Sequence, residues 1–316
     1  MPSNLPPPLF AATTTSARHI NSLLKCCGFD SKACIQITSD GLRVTVEDCN
    51  VMQAHAFIDK ALFNSYTFNL PSPSPSSSSP DPGESHEEEE PILFAVSLTA
   101  LLECLQIFGA EAGRDKWGSG GGGTMAGGVF DQQVLRIGGS CKFEYEAVGS
   151  PLVITLDDAG VITTCTLSTW APTLVDDIPI IRDSLTLKII MKSTWLFDAI
   201  TELSSTSVEK LQILASPSAP YFSLSASGPL GSTVVEFAND RSLLETFVVP
   251  ETVQYRYRFG LIKHAVKAMA VSSKVSIRGD RRGTLSLQFM VEQDGGAPSF
   301  IDFRFLAYAA DSSDEE

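Results

Sequence analysis

Carboxylates are the commonest ionisable groups in this sequence, with 37 Asp and Glu against 23 Lys and Arg. Metal-dependent nucleases need several of them converging on divalent ions. The adjacent pairs are Glu47-Asp48, Asp157-Asp158 and Asp176-Asp177, beside two longer acidic segments. Neighbours on one strand point to opposite faces and cannot chelate one ion together. Asp157-Asp158 precedes Ala-Gly, where Asp serves a tight turn. His19, His55, His86 and His264 are scattered, and none belongs to a recognisable nucleophile motif. The cysteines number seven, with no C-x-x-C pair; a disulfide framework or zinc site wants paired spacing. They read as buried free thiols, with a redox role for the vicinal Cys26-Cys27 as the lesser alternative. The run Gly120 to Gly123 is not followed by Gly-Lys-Ser/Thr and opens no G-x-G-x-x-G helix. No metal, cofactor or catalytic centre is implied.

Those residues are carried by an alternation of short helices and strands that two segments interrupt. Residues 71–90 are rich in Pro and Ser and then acidic, and residues 109–128 are rich in Gly. Neither composition supports a core, so both read as disordered insertions. Setting them aside exposes an internal repeat. The first half has a helical pattern at Ala17, Ile20, Leu23, Leu24 and Cys27. Strands 33–37 and 42–46 come next around the turn Asp40-Gly41, then a helix over 98–108 and strands 152–156 and 161–167. The second half repeats that order. A helix carries Trp195, Leu196, Ala199, Ile200 and Leu203, with strands 210–214 and 221–225 behind it. A helix over 261–271 then precedes strands 274–278, 284–291 and 300–306.

Each half is thus two short helices on many alternating strands: an α+β fold with largely antiparallel sheets. The expected organisation is a disordered leader 1–12, a domain 13–168, an extended connector 169–184, a domain 185–308 and an acidic tail 309–316. Hydrophobic residues make up 43% of the chain, enough for a core without staples. No stretch approaches the ~18 apolar residues of a membrane span. The N-terminus lacks the basic and apolar regions of a secretory signal, so the expectation is a soluble intracellular protein.

The net charge of −14 would repel nucleic acid if it were spread evenly. It is not. Asp81, Glu84 and Glu87 to Glu90 lie in one insertion, and Asp311, Asp314, Glu315 and Glu316 in the tail. Setting those ten aside leaves −4 for the body, and local charge decides contact with a polyanion.

A duplicated unit of two helices and a long antiparallel sheet, joined by one connector, resembles the sliding-clamp fold. The segments Phe222-Ser-Leu-Ser-Ala-Ser-Gly-Pro-Leu-Gly-Ser and Lys267-Ala-Met-Ala-Val-Ser-Ser-Lys-Val-Ser-Ile are similar to the C-terminal half of proliferating cell nuclear antigen. The ending Phe305-Leu-Ala-Tyr before an acidic tail fits it as well. The sequence more closely resembles the Rad-one branch. That likeness is carried by Gly41-Leu-Arg-Val-Thr-Val-Glu-Asp, Gln53-Ala-His-Ala-Phe-Ile, Leu101-Leu-Glu-Cys-Leu-Gln-Ile-Phe-Gly, Pro220-Tyr-Phe-Ser-Leu-Ser and Lys274-Val-Ser-Ile-Arg. It spans residues 13 to 308 apart from the insertions. The resemblance implies a non-catalytic subunit of a heterotrimeric ring around double-stranded DNA. It also implies two sister subunits (Rad-nine-like and Hus-one-like), a clamp loader, checkpoint and repair partners, and a nuclear location.

A sliding clamp needs a basic wall, because sliding rests on sequence-independent phosphate attraction. The candidates are Arg18 and Lys25 on the first helix, Lys192 opening the third, and Lys263 and Lys267 on the fourth, opposite Ile262, Ala265 and Met269. The second helix has Glu103 and no cation. In related clamps the connector edges a groove for partner motifs, which here implies Leu174, Val175, Ile178 and Ile180 with Val46, Phe305 and Ala307. Two other readings stand beside this one: a 3'-5' exonuclease, which the scattered carboxylates disfavour, and a protein-interaction scaffold that does not itself contact DNA.

Overall fold

The computed structural model describes residues 7–69, 91–107, 139–158, 160–172, 176–204, 208–229, 231–292 and 297–309. Both insertions, and the acidic residues beyond 309, lie outside the described residues.

In chain order the first half runs β1 (Phe10–Thr14), α1 (Ala17–Cys26), β2 (Lys32–Thr38), β3 (Gly41–Asp48), β4 (Met52–Asp59), β5 (Ser65–Phe68) and β6 (Ile92–Ser97). It continues through α2 (Leu98–Ile107), β7 (Ser140–Tyr145), β8 (Leu152–Asp158), β9 (Val161–Leu167) and the short β10 (Thr169–Trp170). The second half runs β11 (Leu185–Lys192), α3 (Ser193–Leu203), β12 (Lys210–Ala215), β13 (Phe222–Gly228), β14 (Gly231–Phe237) and β15 (Leu244–Val248). After β16 (Val253–Arg258) come α4 (Phe259–Ile262), α5 (Val266–Val271), β17 (Lys274–Asp280), β18 (Leu285–Val291) and β19 (Ser299–Phe305).

From β1 to β9 and from β11 to β19 the order is the same, with α4 and α5 standing where α2 stands. The pairings repeat too, all antiparallel. β1 pairs β5 and β7, β2 pairs β6, and β8 pairs β7 and β9. Correspondingly, β11 pairs β15 and β17, β12 pairs β16, and β18 pairs β17 and β19. The duplication read from the sequence is therefore a duplication of topology.

Two compact units result, and they cut across the chain halves. The first comprises Met1–Ser22, Ser31–Arg43 and Ile58–Thr173; the second comprises Leu23–Asp30, Val44–Phe57 and Leu174–Glu316. The first unit holds the sheet β5-β1-β7-β8-β9 and the ladder β10-β6-β2. Period-two burial along β1, β7 and β8 fills its core, and Phe94 stacks on Tyr145 at 4.3 Å. Helix α2 buries Leu98, Leu101 and Leu105, which fall on one face at 3.6-residue spacing. Gly41 has φ of +149°, and a Cβ there would meet the Ile58 carbonyl oxygen; the turn before β3 requires glycine.

The second unit holds the sheet β14-β13-β12-β16 and the strand run β4-β19-β18-β17-β11-β15. Helix α3 buries Leu196, Ala199, Ile200 and Leu203, and each large side chain so buried contributes about 1.5–3 kcal/mol. The Ser193 hydroxyl donates to the Met269 carbonyl at 2.8 Å, fastening the start of α3 to α5.

Four expectations need correction. The leader is shorter than 1–12: β1 begins at Phe10, where Phe10 and Ala12 are buried between β5 and β7. The connector is not extended throughout, because Arg182–Ser184 form a 3-10 turn, and it is not free at its start, where Thr169 and Trp170 pair with Val96 and Ala95. The helix expected over 261–271 is two helices around a 3-10 turn at Lys263–Ala265. Asp157 and Asp158 pair with Ile162 and Val161, so the hairpin is tighter than a turn over 157–160.

Candidate functional site

Each expected phosphate-binding cation is exposed, and the reasons differ. On α1, Arg18 and Lys25 point away from the buried Ala17, Ile20, Leu23 and Leu24. Lys25 falls in the last turn of that helix, where a cation is favoured by the helix dipole, so local stability accounts for it. Lys192 is the opposite case. It ends β11 at the N-cap position of α3 and makes no side-chain cap bond. A cation there works against the dipole, at a cost of about 0.3–1 kcal/mol. Lys263 and Lys267 are exposed while Ile262, Ala265, Ala268 and Met269 are buried. The 3-10 turn leaves the two faces as the spacing predicts. The Lys263 ammonium stands 5.0 Å from the centroid of the Phe259 ring, which restricts it. Helix α2 presents exposed Glu103 and no cation.

Between the two lysines, His264 has its Nε2 3.9 Å from Asp48 Oδ2 and its ring 5.0 Å from that of Phe29. Burial lowers its pKa, Asp48 opposes that, and Lys267 adds to it. His19 on α1 is likewise lowered by burial.

The connector docks through polar side chains that sequence reasoning missed. Gln53 on β4 is buried; its Nε2 donates to the Asp176 carbonyl at 2.9 Å and its Oε1 accepts from the Ile178 amide at 2.7 Å. Arg304 on β19 donates from Nη1 to the Ile178 carbonyl at 2.8 Å, and from Nε to Asp302 at 2.9 Å. Ser286 on β18 donates to the other Asp302 oxygen at 2.6 Å. Gln53 and Arg304 lie opposite each other across the β4–β19 pair, so two adjacent strands hold one connector residue by both backbone groups. The only sequence signal was two polar residues, Gln53 and His55, alternating in an otherwise apolar strand, a pattern that reads as a solvated face.

The expected groove set is corrected by the same geometry. Val46 and Phe305 are 1% exposed and Ile178 is 5% exposed; all three are core, and none lines a surface. Ile180 and Ala307 are half-buried. Leu174 and Val175 lie outside the described residues.

Among the described residues, no three of His, Cys, Asp and Glu converge as a metal site. Cys26 and Cys27 are buried thiols outside any disulfide. Burial pushes the Cys26 thiol up to about 11 and Cys27 further in the same direction, which suppresses the reactive thiolate. Burial also raises Cys104 to about 11 and Cys141 to about 12.

The family model described as repair protein Rad1/Rec1/Rad17 matches residues 9–291. The DNA damage checkpoint control protein rad1 of Schizosaccharomyces pombe is 36% identical over 315 residues, covering 98% of this chain and 89% of that protein. The cell cycle checkpoint protein RAD1 of Homo sapiens is 34% identical, covering 92% and 89%. A weaker relative bears the name DNA repair exonuclease REC1, from Mycosarcoma maydis; it is 26% identical, covering 65% of this chain and 59% of its own length. The crystal structure of PCNA from Thermococcus kodakaraensis superposes with a TM-score of 0.64 at 16% identity, covering 94% of this chain and 99% of that one. That likeness establishes the α+β sliding-clamp fold. By the extent of the family match and the identity to its checkpoint members, the chain belongs to the Rad1/Rec1/Rad17 family.

Proposed function

We propose that this chain is a non-catalytic subunit of a heterotrimeric ring that encircles double-stranded DNA in the nucleus. There it acts as a platform for checkpoint signalling and repair proteins. Its partners in this reading are two sister subunits and a clamp loader.

The observation that carries the reading is a pair of open sheet edges. By position in the repeat, β4 corresponds to β14 and β19 to β9. Within the second unit β4 and β19 pair with each other over six residues. Among the described strands that end a sheet, two are their counterparts β14 and β9. Both open edges leave apolar side chains in water: Val161 is 68% exposed, Ile162 67% and Val234 55%. A chain whose two edges are the equivalents of a pair it already makes is built to meet like chains head to tail, and such contacts form a ring where the rotation between neighbours closes. Arg18, Lys25, Lys192, Lys263 and Lys267 then serve as phosphate contacts that attract the backbone without reading bases.

Co-expression with the two sister subunits, followed by mass measurement, tests this. The expected product is a one-to-one-to-one trimer, with the isolated chain monomeric. Ile162→Lys with Val234→Lys should abolish the trimer and leave the subunit folded. A stable homotrimer at micromolar concentration, or a trimer indifferent to both substitutions, refutes the assignment.

A further inference from the structure

The last described residues leave β19 and are fastened to a cluster of cations on β12 and β16. The Leu306 amide donates to the Val51 carbonyl at 2.9 Å, and the Tyr308 amide donates to the Arg256 carbonyl at 2.8 Å. Lys210 and Arg258 face each other across the β12–β16 pair, with Gln212 and Arg256 the next pair on the same side. The Lys210 ammonium stands 5.2 Å from the Tyr308 ring centroid, and Tyr308 raises the pKa of Arg258 from close by. Tyr308 is thus held by Arg256 through the backbone and by Lys210 at its ring face, with Arg258 beside it. Lys210 and Arg258 remain exposed, and across β12 the same face continues as the polar Ser225 and Ser227 of β13.

Beyond Tyr308 the sequence turns to the opposite charge. Of residues 311–316, Asp311, Asp314, Glu315 and Glu316 are acidic, and no cation lies among them. Six residues span at most about 20 Å, and the cations begin at the anchor itself. Tethering places these carboxylates at an effective concentration near the millimolar range. Individual exposed ion pairs contribute little, yet several carboxylates tethered beside several cations make docking favourable at low salt.

We propose that the acidic segment 311–316 docks in cis on the cluster Lys210, Arg256 and Arg258, with Tyr308 as its anchor. The cluster is then a self-occupied anion site, shielded from other polyanions until the segment is displaced or screened. This goes beyond the ring reading and does not rest on it.

Lysine acylation of the full chain, read by mass spectrometry, tests the proposal, with exposed Lys188 and Lys263 as internal references. Neutralising the segment (Asp311→Asn, Asp314→Asn, Glu315→Gln and Glu316→Gln) should raise the Lys210 rate by about two- to fourfold, the size of an exposed ion pair. Both reference rates should stay unchanged. In the unsubstituted chain, raising salt should bring the same selective rise, an arm that needs no variant. Equal Lys210 rates with and without the acidic groups, or a Lys210 rate that tracks the references through the salt series, overturn the proposal. Equal rates combined with protection by added duplex DNA assign the cluster to nucleic acid instead.

Discussion

Replacing Lys263 and Lys267 with Ala removes two candidate phosphate-binding cations from one face of the segment between β16 and β17. The buried side, Ile262, Ala265, Ala268 and Met269, is untouched, so the fold should tolerate the change. Lys263 gives up its interaction with the Phe259 ring, at about 0.5–1 kcal/mol, and Lys267 should cost under about 0.5 kcal/mol. Every phosphate neutralised by one cation fewer lowers the slope of log affinity against log salt by about 0.9, so the pair should lower it by about 1.8. Between roughly 50 and 200 mM salt, wild type should then lose about twelvefold more affinity than the double variant. The assay is titration of the assembled trimer on duplex DNA across a salt series, run on two unrelated sequences. Both sequences should respond alike, since phosphate contacts carry no base information. Parallel salt lines at equal affinity would refute the reasoning. They would put both lysines on a passive face and leave the connector surface to carry function.

Met269→Asp should do the reverse, burying an unpaired charge where the side chain is fully enclosed; a loss of about 4 kcal/mol or more is expected by denaturant unfolding. Gln53→Leu should free the connector rather than unfold the unit. The Ile178 amide loses its acceptor, a cost of about 1–3 kcal/mol, so its hydrogen exchange should speed up roughly ten- to hundredfold. Unchanged protection there would mean that Arg304 alone holds the connector. His264 and His19 both have pKa values below the usual 6.5, chiefly because of burial. The unfolded chain therefore takes up protons first as pH falls through 6.5. That part of the stability is complete above pH 6.5 and is lost progressively below it. Melting temperatures between pH 7.5 and 5.5 should fall in wild type and fall less in His264→Asn, whereas equal slopes would remove His264 from the account.

Much of the fold was readable because one rule governs it: buried faces impose a period. The stripes at Ala17, Ile20, Leu23 and Leu24 and at Leu196, Ala199, Ile200 and Leu203 became helices with those residues inside. The same logic would have corrected the groove set. Val44 and Val46 share a face of β3 by alternation, and both are core; the placement of Val46 beside the connector came from resemblance, not from its own pattern. The break at Lys263–Ala265 had no marker, since neither Pro nor Gly falls there and the 3-10 turn keeps the same side chains buried. β1 was hidden because its five residues come after a proline run, and small Ala and Thr side chains give a weak signal. It is stabilised by pairing on both sides, a long-range fact.

The open edges were the hardest to foresee, and the physical reason is specific. β9 reads Val-Ile-Thr-Thr-Cys-Thr-Leu and β14 reads Gly-Ser-Thr-Val-Val-Glu-Phe, sequences that suit an interior strand as well as an edge. Edge strands that must stay unpaired are usually protected by Lys, Pro, a bulge or a covering loop. Neither β9 nor β14 carries Lys or Pro, and each keeps an unbroken register with its one neighbour. Left bare, such edges invite aggregation. In the proposed ring a partner's strand would cover both edges, so the lack of edge protection on β9 and β14 is what that reading predicts.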